Sequence, residues 1–196
     1  NVLDIYGNHK LIWEGDSYAY NWQQGSRAQW LNEDSFIFNI YDENNRRYGS
    51  KRVNLATSEE IVYPFPVYDT FNSYALSLNF KRLAALRPDY GYRNADISVE
   101  SDIRNLDEDG ILLCDFETRQ SKLLLSLSQL VSIEYDSKMD EATHKVNHIM
   151  ISPKGDKFIF LHRYFIKQRR FDRLFVSDSQ GTNIKLLAAQ EMASHC

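Results

Sequence analysis

One stretch of this chain is written three times. Asp156-Lys157-Phe158-Ile159-Phe160 aligns with Asp34-Ser35-Phe36-Ile37-Phe38 at an offset of 122 residues, and with Asn72-Ser73-Tyr74-Ala75-Leu76 at an offset of 84. A second motif repeats too. Ile111-Leu112-Leu113-Cys114-Asp115 falls on Leu174-Phe175-Val176-Ser177-Asp178 at an offset of 63, and Lys122-Leu123-Leu124 then falls on Lys185-Leu186-Leu187 without a gap. The N-terminal Val2-Leu3-Asp4-Ile5-Tyr6-Gly7 matches Val176-Ser177-Asp178-Ser179-Gln180-Gly181. Repeated units of this size cannot bury their apolar faces alone, so the chain must fold as an array, and function must lie where the units converge.

Each unit reads as four strands, A to D. In the last unit, strand A covers residues 147–152 and a Ser152-Pro153-Lys154-Gly155 turn follows, its Pro and Gly supplying turn geometry. Strand B, 157–163, alternates Phe158, Phe160 and His162 with Ile159 and Leu161, so both faces are apolar, as in a sheet packed between two others. Strands C and D form a hairpin, 173–177 and 183–188, around Asp178-Ser179-Gln180-Gly181. Complete units are predicted near 24–63, 62–131 and 146–189, with partial units at 1–15 and 193–196. Four-stranded units in series predict an all-β chain, a β-propeller of four-stranded antiparallel blades. A solenoid of hairpins is the structural rival. Three blades and two partial ones hardly close a ring, so the expectation is about half of a six- to eight-bladed propeller, its other blades lying outside this chain.

The second unit carries an insertion between strands B and C, residues 80–109. Lys81-Arg82-Leu83-Ala84-Ala85-Leu86 reads as a short helix and Arg87-Pro88-Asp89-Tyr90-Gly91-Tyr92-Arg93 as a turn-rich loop. Loops this long in a compact array carry function or lack order. A net charge of −4 gives no bulk electrostatic reason to expect nucleic acid. No apolar run approaches the ~18–20 residues needed to cross a bilayer. Cys114 sits in an apolar run and Cys196 ends the chain, so a disulfide between them is not expected and the compartment stays open.

The turn and hairpin pattern, Ser152-Pro153-Lys154-Gly155-Asp156-Lys157-Phe158 followed by Phe175-Val176-Ser177-Asp178-Ser179-Gln180-Gly181-Thr182, resembles the propeller repeats of the TolB type. That family places an SPDG turn before strand B and a D-x-x-G turn between C and D; here Lys154 replaces the usual Asp. The pieces Asn147-His148-Ile149-Met150-Ile151-Ser152-Pro153 and Ser194-His195-Cys196 resemble the bacterial oligogalacturonate lyase-like propellers. Those enzymes cleave acidic sugar oligomers by β-elimination, with a metal held by histidines and a glutamine in the central funnel. The resemblance implies a divalent, manganese-like ion near His148, His195 and Gln190.

Strand A of each blade lines the propeller channel. By the ungapped offsets, His148 matches Ser26, Pro64 and His195, so two imidazoles are predicted to face one funnel. Imidazole suits mid-row divalent metals; the alternative is that both rings bond backbone. His144 reads as a linker residue. The B–C loops open on the same face and carry Arg163, Arg169 and Arg170 in one unit and Arg87, Tyr90, Tyr92 and Arg93 in another. Arginine forks suit carboxylates, so an acidic saccharide is the consistent ligand. The alternative is a solvated rim held by pairs such as Arg173 with Asp172 or Arg93 with Asp89. There is no P-loop or dinucleotide glycine motif, no G-x-S-x-G elbow and no C-x-x-C pair. Two classes of function follow. One is a module binding a saccharide, acidic by its arginines, or a protein partner. The other is a metal-dependent lyase of acidic oligosaccharides such as oligogalacturonate, with Arg163 or Arg170 clamping the carboxylate and no identifiable base.

Overall fold

A computed structural model describes residues 1–4, 6–95 and 103–189. The repeated motifs become antiparallel sheets in chain order. A two-stranded sheet pairs β1 (Val2–Asp4) with β2 (Lys10–Trp13). The first four-stranded sheet is β3 (Gln29–Trp30), β4 (Ser35–Asp42), β5 (Arg47–Asn54) and β6 (Glu60–Tyr63). The second is β7 (Asp69–Phe71), β8 (Tyr74–Leu78), β9 (Gly110–Asp115) and β10 (Gln120–Ser126). The third is β11 (Thr143–Ile151), β12 (Lys157–Ile166), β13 (Arg169–Asp178) and β14 (Lys185–Ala189). Each sheet is a simple meander, and the arrangement is propeller-like. Residues 193–196, expected to begin a further unit, lie outside the described residues.

The sheets stack face to face through three apolar seams. Phe36, Phe38 and Val53 meet Val2 and Trp13 of the two-stranded sheet. Ile37, on the opposite face of β4, packs with Tyr63 of its own sheet, with Phe65 and Val67 of the connection, and with Ala75 and Cys114 of the next sheet. Cys114 is sealed there, and burial pushes its thiol up to about 12. Phe158, Phe160 and Phe175 pack with Leu76, Leu78 and Ile111. The two apolar faces of strand B thus serve two neighbouring sheets. Gly155 closes the turn before β12 at φ +71, and its missing Cβ leaves room for the Phe71 ring of the second sheet.

The insertion of the second sheet ties together sheets that are not neighbours. It opens with helix α1 (Phe80–Leu86), capped by the Asn79 side chain, which accepts from the N–H groups of Lys81 and Arg82. Arg82 is buried and fans out. Its Nε donates to Asp109 Oδ2 at 2.5 Å, and its Nη groups donate to the carbonyls of Ile103, Asn105 and His144 at 2.8, 2.8 and 2.9 Å. Further on, Tyr92 stacks on Phe80 at 4.3 Å and its hydroxyl accepts from Asn39 of β4. Gly91 permits this fold-back, because a Cβ there would lie 2.0 Å from the Ala84 nitrogen. The insertion therefore grips β4 in the first sheet and β11 in the third.

A short helix, α2 (Leu127–Ser132), follows β10. Ser126 and Gln129 form a capping box at its start. Beneath it, His144 is fully buried rather than a surface linker residue, because β11 begins at Thr143 and carries it inward. Its Nε2 lies 2.9 Å from the Met139 carbonyl and its Nδ1 3.0 Å from His162 Nε2. His162 Nδ1 lies 3.4 Å from Arg173 Nη1. Arginine can only donate, so His162 Nδ1 accepts, His162 Nε2 donates to His144 Nδ1, and His144 Nε2 donates to the carbonyl. Every bond runs one way, and both rings are neutral.

Burial lowers the affinity of both rings for a proton; Arg82 and Arg173 lower it further at His144, and His144 and Arg173 at His162. The unfolded chain then binds more protons than the folded one once the pH drops below the free-imidazole value of about 6.5. The stability these rings contribute is complete above that value and is lost as the pH falls. The expected slope is up to about 1.4 kcal/mol per pH unit for each ring. Urea midpoints from neutral to mildly acidic pH measure it, and His162→Gln is expected to flatten the curve.

Candidate functional site

Correct register first requires the true strand-A positions. The A–B turns hold five residues after Trp30, two after Phe71 and six after Ile151. The counterparts of His148 therefore shift from Ser26 and Pro64 to Arg27 and Tyr68. Arg27 and Tyr68 meet through their side chains, and His148 joins them through its backbone. Arg27 lies over the Tyr68 ring, 4.2 Å from its centroid, and its Nε donates to the Tyr68 carbonyl at 2.8 Å. The Tyr68 hydroxyl accepts from the His148 N–H at 3.0 Å. Arg27 and His148 both sit in the left-handed region, at φ 54 and 52, and His148 lies within the β-bulge between Asn147 and Met150. The inner strands thus converge on an arginine–tyrosine–histidine column.

Of the residues expected to hold a metal, His148 is described and His195 and Gln190 lie outside the described residues. The His148 ring meets the edge of Tyr90 at 5.6 Å. Among the described residues there is no group of three or more His, Cys, Asp or Glu side chains able to hold an ion.

The residues expected to bind a ligand fall into three places. Tyr92 is in the core, and Tyr90 is buried between His148 and Arg87, whose guanidinium is 5.7 Å from the Tyr90 centroid. Arg163 and Arg170 converge on Asp172: Arg163 Nε is 2.8 Å from Oδ1, off its N–H axis, and Arg170 Nη2 is 3.0 Å from Oδ2. Arg169 stacks beside Phe171 at 4.8 Å. Arg173 serves the histidine chain instead of Asp172. Arg93 alone of these faces an open pocket without an acidic partner: among the described residues no carboxylate reaches it, Asp89 included.

That pocket encloses about 270 Å³ between the insertion and the segment before β3. Its walls are Tyr18, Tyr20 and Trp22 on one side and Arg93 and Asn94 on the other. The three rings are 62, 58 and 80% exposed, while Ala19 and Asn21 between them are buried. Tyr20 and Trp22 sit edge to face at 6.0 Å. The scaffold is fixed from beneath. Asn21 Nδ2 donates to the Tyr90 carbonyl at 3.0 Å, and its Oδ1 accepts from the N–H groups of Gln23 and Gln24. Asn94 Nδ2 donates to the Tyr18 carbonyl at 2.7 Å, holding Tyr18 at φ 53, a costly backbone position for a bulky residue. Sequence reasoning passed over these rings. The signal was present as Tyr18-Ala19-Tyr20-Asn21-Trp22, large aromatics at every second position with small or polar residues between.

The chain is similar to a solved structure described as oligogalacturonate lyase in complex with manganese, with a TM-score of 0.44 and 11% identity over 83% of this chain and 40% of that one. The chain thus spans less than half the length of that structure. No protein-family model matches the chain, and no curated protein does.

Proposed function

We propose that this chain is a stretch of β-propeller whose insertion face binds an acidic saccharide. The aromatic pocket carries this reading: three exposed rings stand opposite an arginine that no carboxylate among the described residues neutralises. Large exposed aromatics held on a fixed backbone suit the apolar C–H face of a sugar ring. A guanidinium across the gap suits a carboxylate through paired, charge-assisted hydrogen bonds. The cavity of about 270 Å³ is near the lower end for small-molecule sites, which suits a short segment of a sugar chain.

The test is calorimetric titration with an oligogalacturonate and with a neutral oligosaccharide of equal length, while Trp22 fluorescence is followed. Wild type is expected to prefer the acidic chain. Trp22→Ala is expected to weaken both by about ten- to a hundredfold. Arg93→Ala is expected to remove the preference by weakening the acidic ligand about tenfold or more. Equal affinity for the two sugars in wild type would sink the acidic reading. Absorbance at the unsaturated-uronate band in the same mixture would replace binding with elimination, the activity named for the similar structure.

A further inference from the structure

Each four-stranded sheet pairs its third strand on both edges. β5, β9 and β13 all lie between the second and fourth strands of their sheets. β1 and β2 hold the third and fourth positions of their own unit, because Val2-Leu3-Asp4 aligns with Val176-Ser177-Asp178 of β13. Among the described residues, β1 pairs with β2 alone. The seams repeat this contrast. Leu76 and Leu78 of β8 pack with Phe158 and Phe160 of β12, second strand on second strand, and Ile37 of β4 packs with Ala75 of β8. At the first seam, Phe36 and Phe38 of β4 meet third- and fourth-strand residues of the earlier sheet, Val2 and Trp13. Beside them opens a groove of about 600 Å³, which runs from Val2 and Leu3 across Phe36 and Phe38 to Trp30 of β3. Two apolar residues on its rim, Leu3 and Trp30, are 49 and 57% exposed.

We propose that this groove seats one extended β-strand, supplied by the polypeptide leading into β1 and paired antiparallel with the open edge of β1. An unpaired edge is a template for a further strand: its N–H and C=O groups fix direction, and pockets for alternate side chains select sequence. The selected sequence is written in the other sheets. Their second strands turn aliphatic side chains toward the following sheet, Ile37 in one and Leu76 and Leu78 in the next. The occupant therefore carries aliphatic side chains at every second position, and these enter the groove over Phe36 and Phe38. The same polypeptide is the source because two of the three sheets join second to third strand by a short turn, residues 43–46 and residues 167–168. The inference rests on the propeller reading above and is independent of the sugar.

The experiment replaces Asn1 with a copy of residues 157–175, which runs directly into Val2. The β12–β13 register then sets the copied Ile159 opposite Val2 and the copied Lys157 opposite Asp4. Ile159 and Leu161 lie on the side of the strand away from Phe158 and Phe160, the side that faces the groove. Expected are a higher urea midpoint than that of the 196-residue chain and amide exchange slowed about tenfold or more at residues 2–4. Ile159→Ser with Leu161→Ser, made in the added copy only, is expected to lose most of both gains, because the pairing backbone remains but the apolar burial is gone. Trp30→Ala in the extended chain is expected to cut the protection about tenfold. The unextended chain is expected to sediment as a monomer with fast exchange at residues 2–4. A dimer already protected there would assign the edge to a second copy and overturn the proposal. So would an extended chain with no slower exchange at residues 2–4, or a serine copy that protects them equally. Oligogalacturonate titration of the same extended chain judges the saccharide reading separately, since the groove and the aromatic pocket share no lining residue.

Discussion

Replacing Arg82 with methionine is expected to lower the unfolding free energy by about 3–5 kcal/mol, the cost of breaking a buried ion pair from one side. The loss is this large because one guanidinium satisfies one carboxylate and three carbonyls at once. Methionine matches its length and packing but leaves the Asp109 carboxylate and three oxygens without their donor. Lysine is expected to recover less than half, since a point charge cannot reach four acceptors arranged around a planar fork. Denaturant midpoints give the free energy. Limited proteolysis gives the location, with new cleavage expected after Arg87, Arg93 or Arg104 before the sheets themselves are cut. A variant as stable as wild type, with the insertion still protected, would show that the fan of bonds is not what holds it.

The second large effect is expected at Arg173. Its Nη1 donates to the Leu130 carbonyl at 3.0 Å, its other nitrogen donates to the Ile133 carbonyl, and it closes the histidine chain. Both carbonyls belong to the end of α2, where a helix leaves its last acceptors unpaired. Arg173→Met is expected to orphan three acceptors, at about 1–3 kcal/mol each, for a total of about 3–9 kcal/mol. It should also shift the pH profile. Without the arginine, His162 loses a like charge, so its proton affinity rises toward the free-imidazole value and the acid limb of the stability curve becomes shallower. Denaturation at neutral and mildly acidic pH measures both effects. An unchanged acid limb would separate Arg173 from the histidines.

The strands were legible because apolar alternation sets their faces and because the motif recurs. Phe36, Ile37 and Phe38 read as a strand with two apolar faces, and each face meets a different sheet. The C–D hairpins at Asp115 and Asp178 were equally plain. Strand A was less so. Its position depends on the length of the turn before strand B, and a fixed offset cannot see a turn that shrinks from six residues to two. That is why Arg27 and Tyr68 were missed in favour of Ser26 and Pro64. The ionic partners were also invisible. Neighbours in sequence suggested Arg173 with Asp172, but adjacent residues on a strand point to opposite sides, so Arg163 and Arg170 reach Asp172 instead.

Most tandem architectures grow or shrink by whole modules, because each copy need fit only the one beside it. The tether between β4 and β11 removes that freedom. Its tyrosines and Arg82 reach across the intervening module with fixed spans, to Asn39 on one side and to His148 and the His144 carbonyl on the other. Excising or duplicating the middle module would leave those anchors at the wrong separation. Change can still accumulate at the rim, where Tyr18, Tyr20 and Trp22 stand clear of the tether, so ligand preference can drift while the module count stays locked.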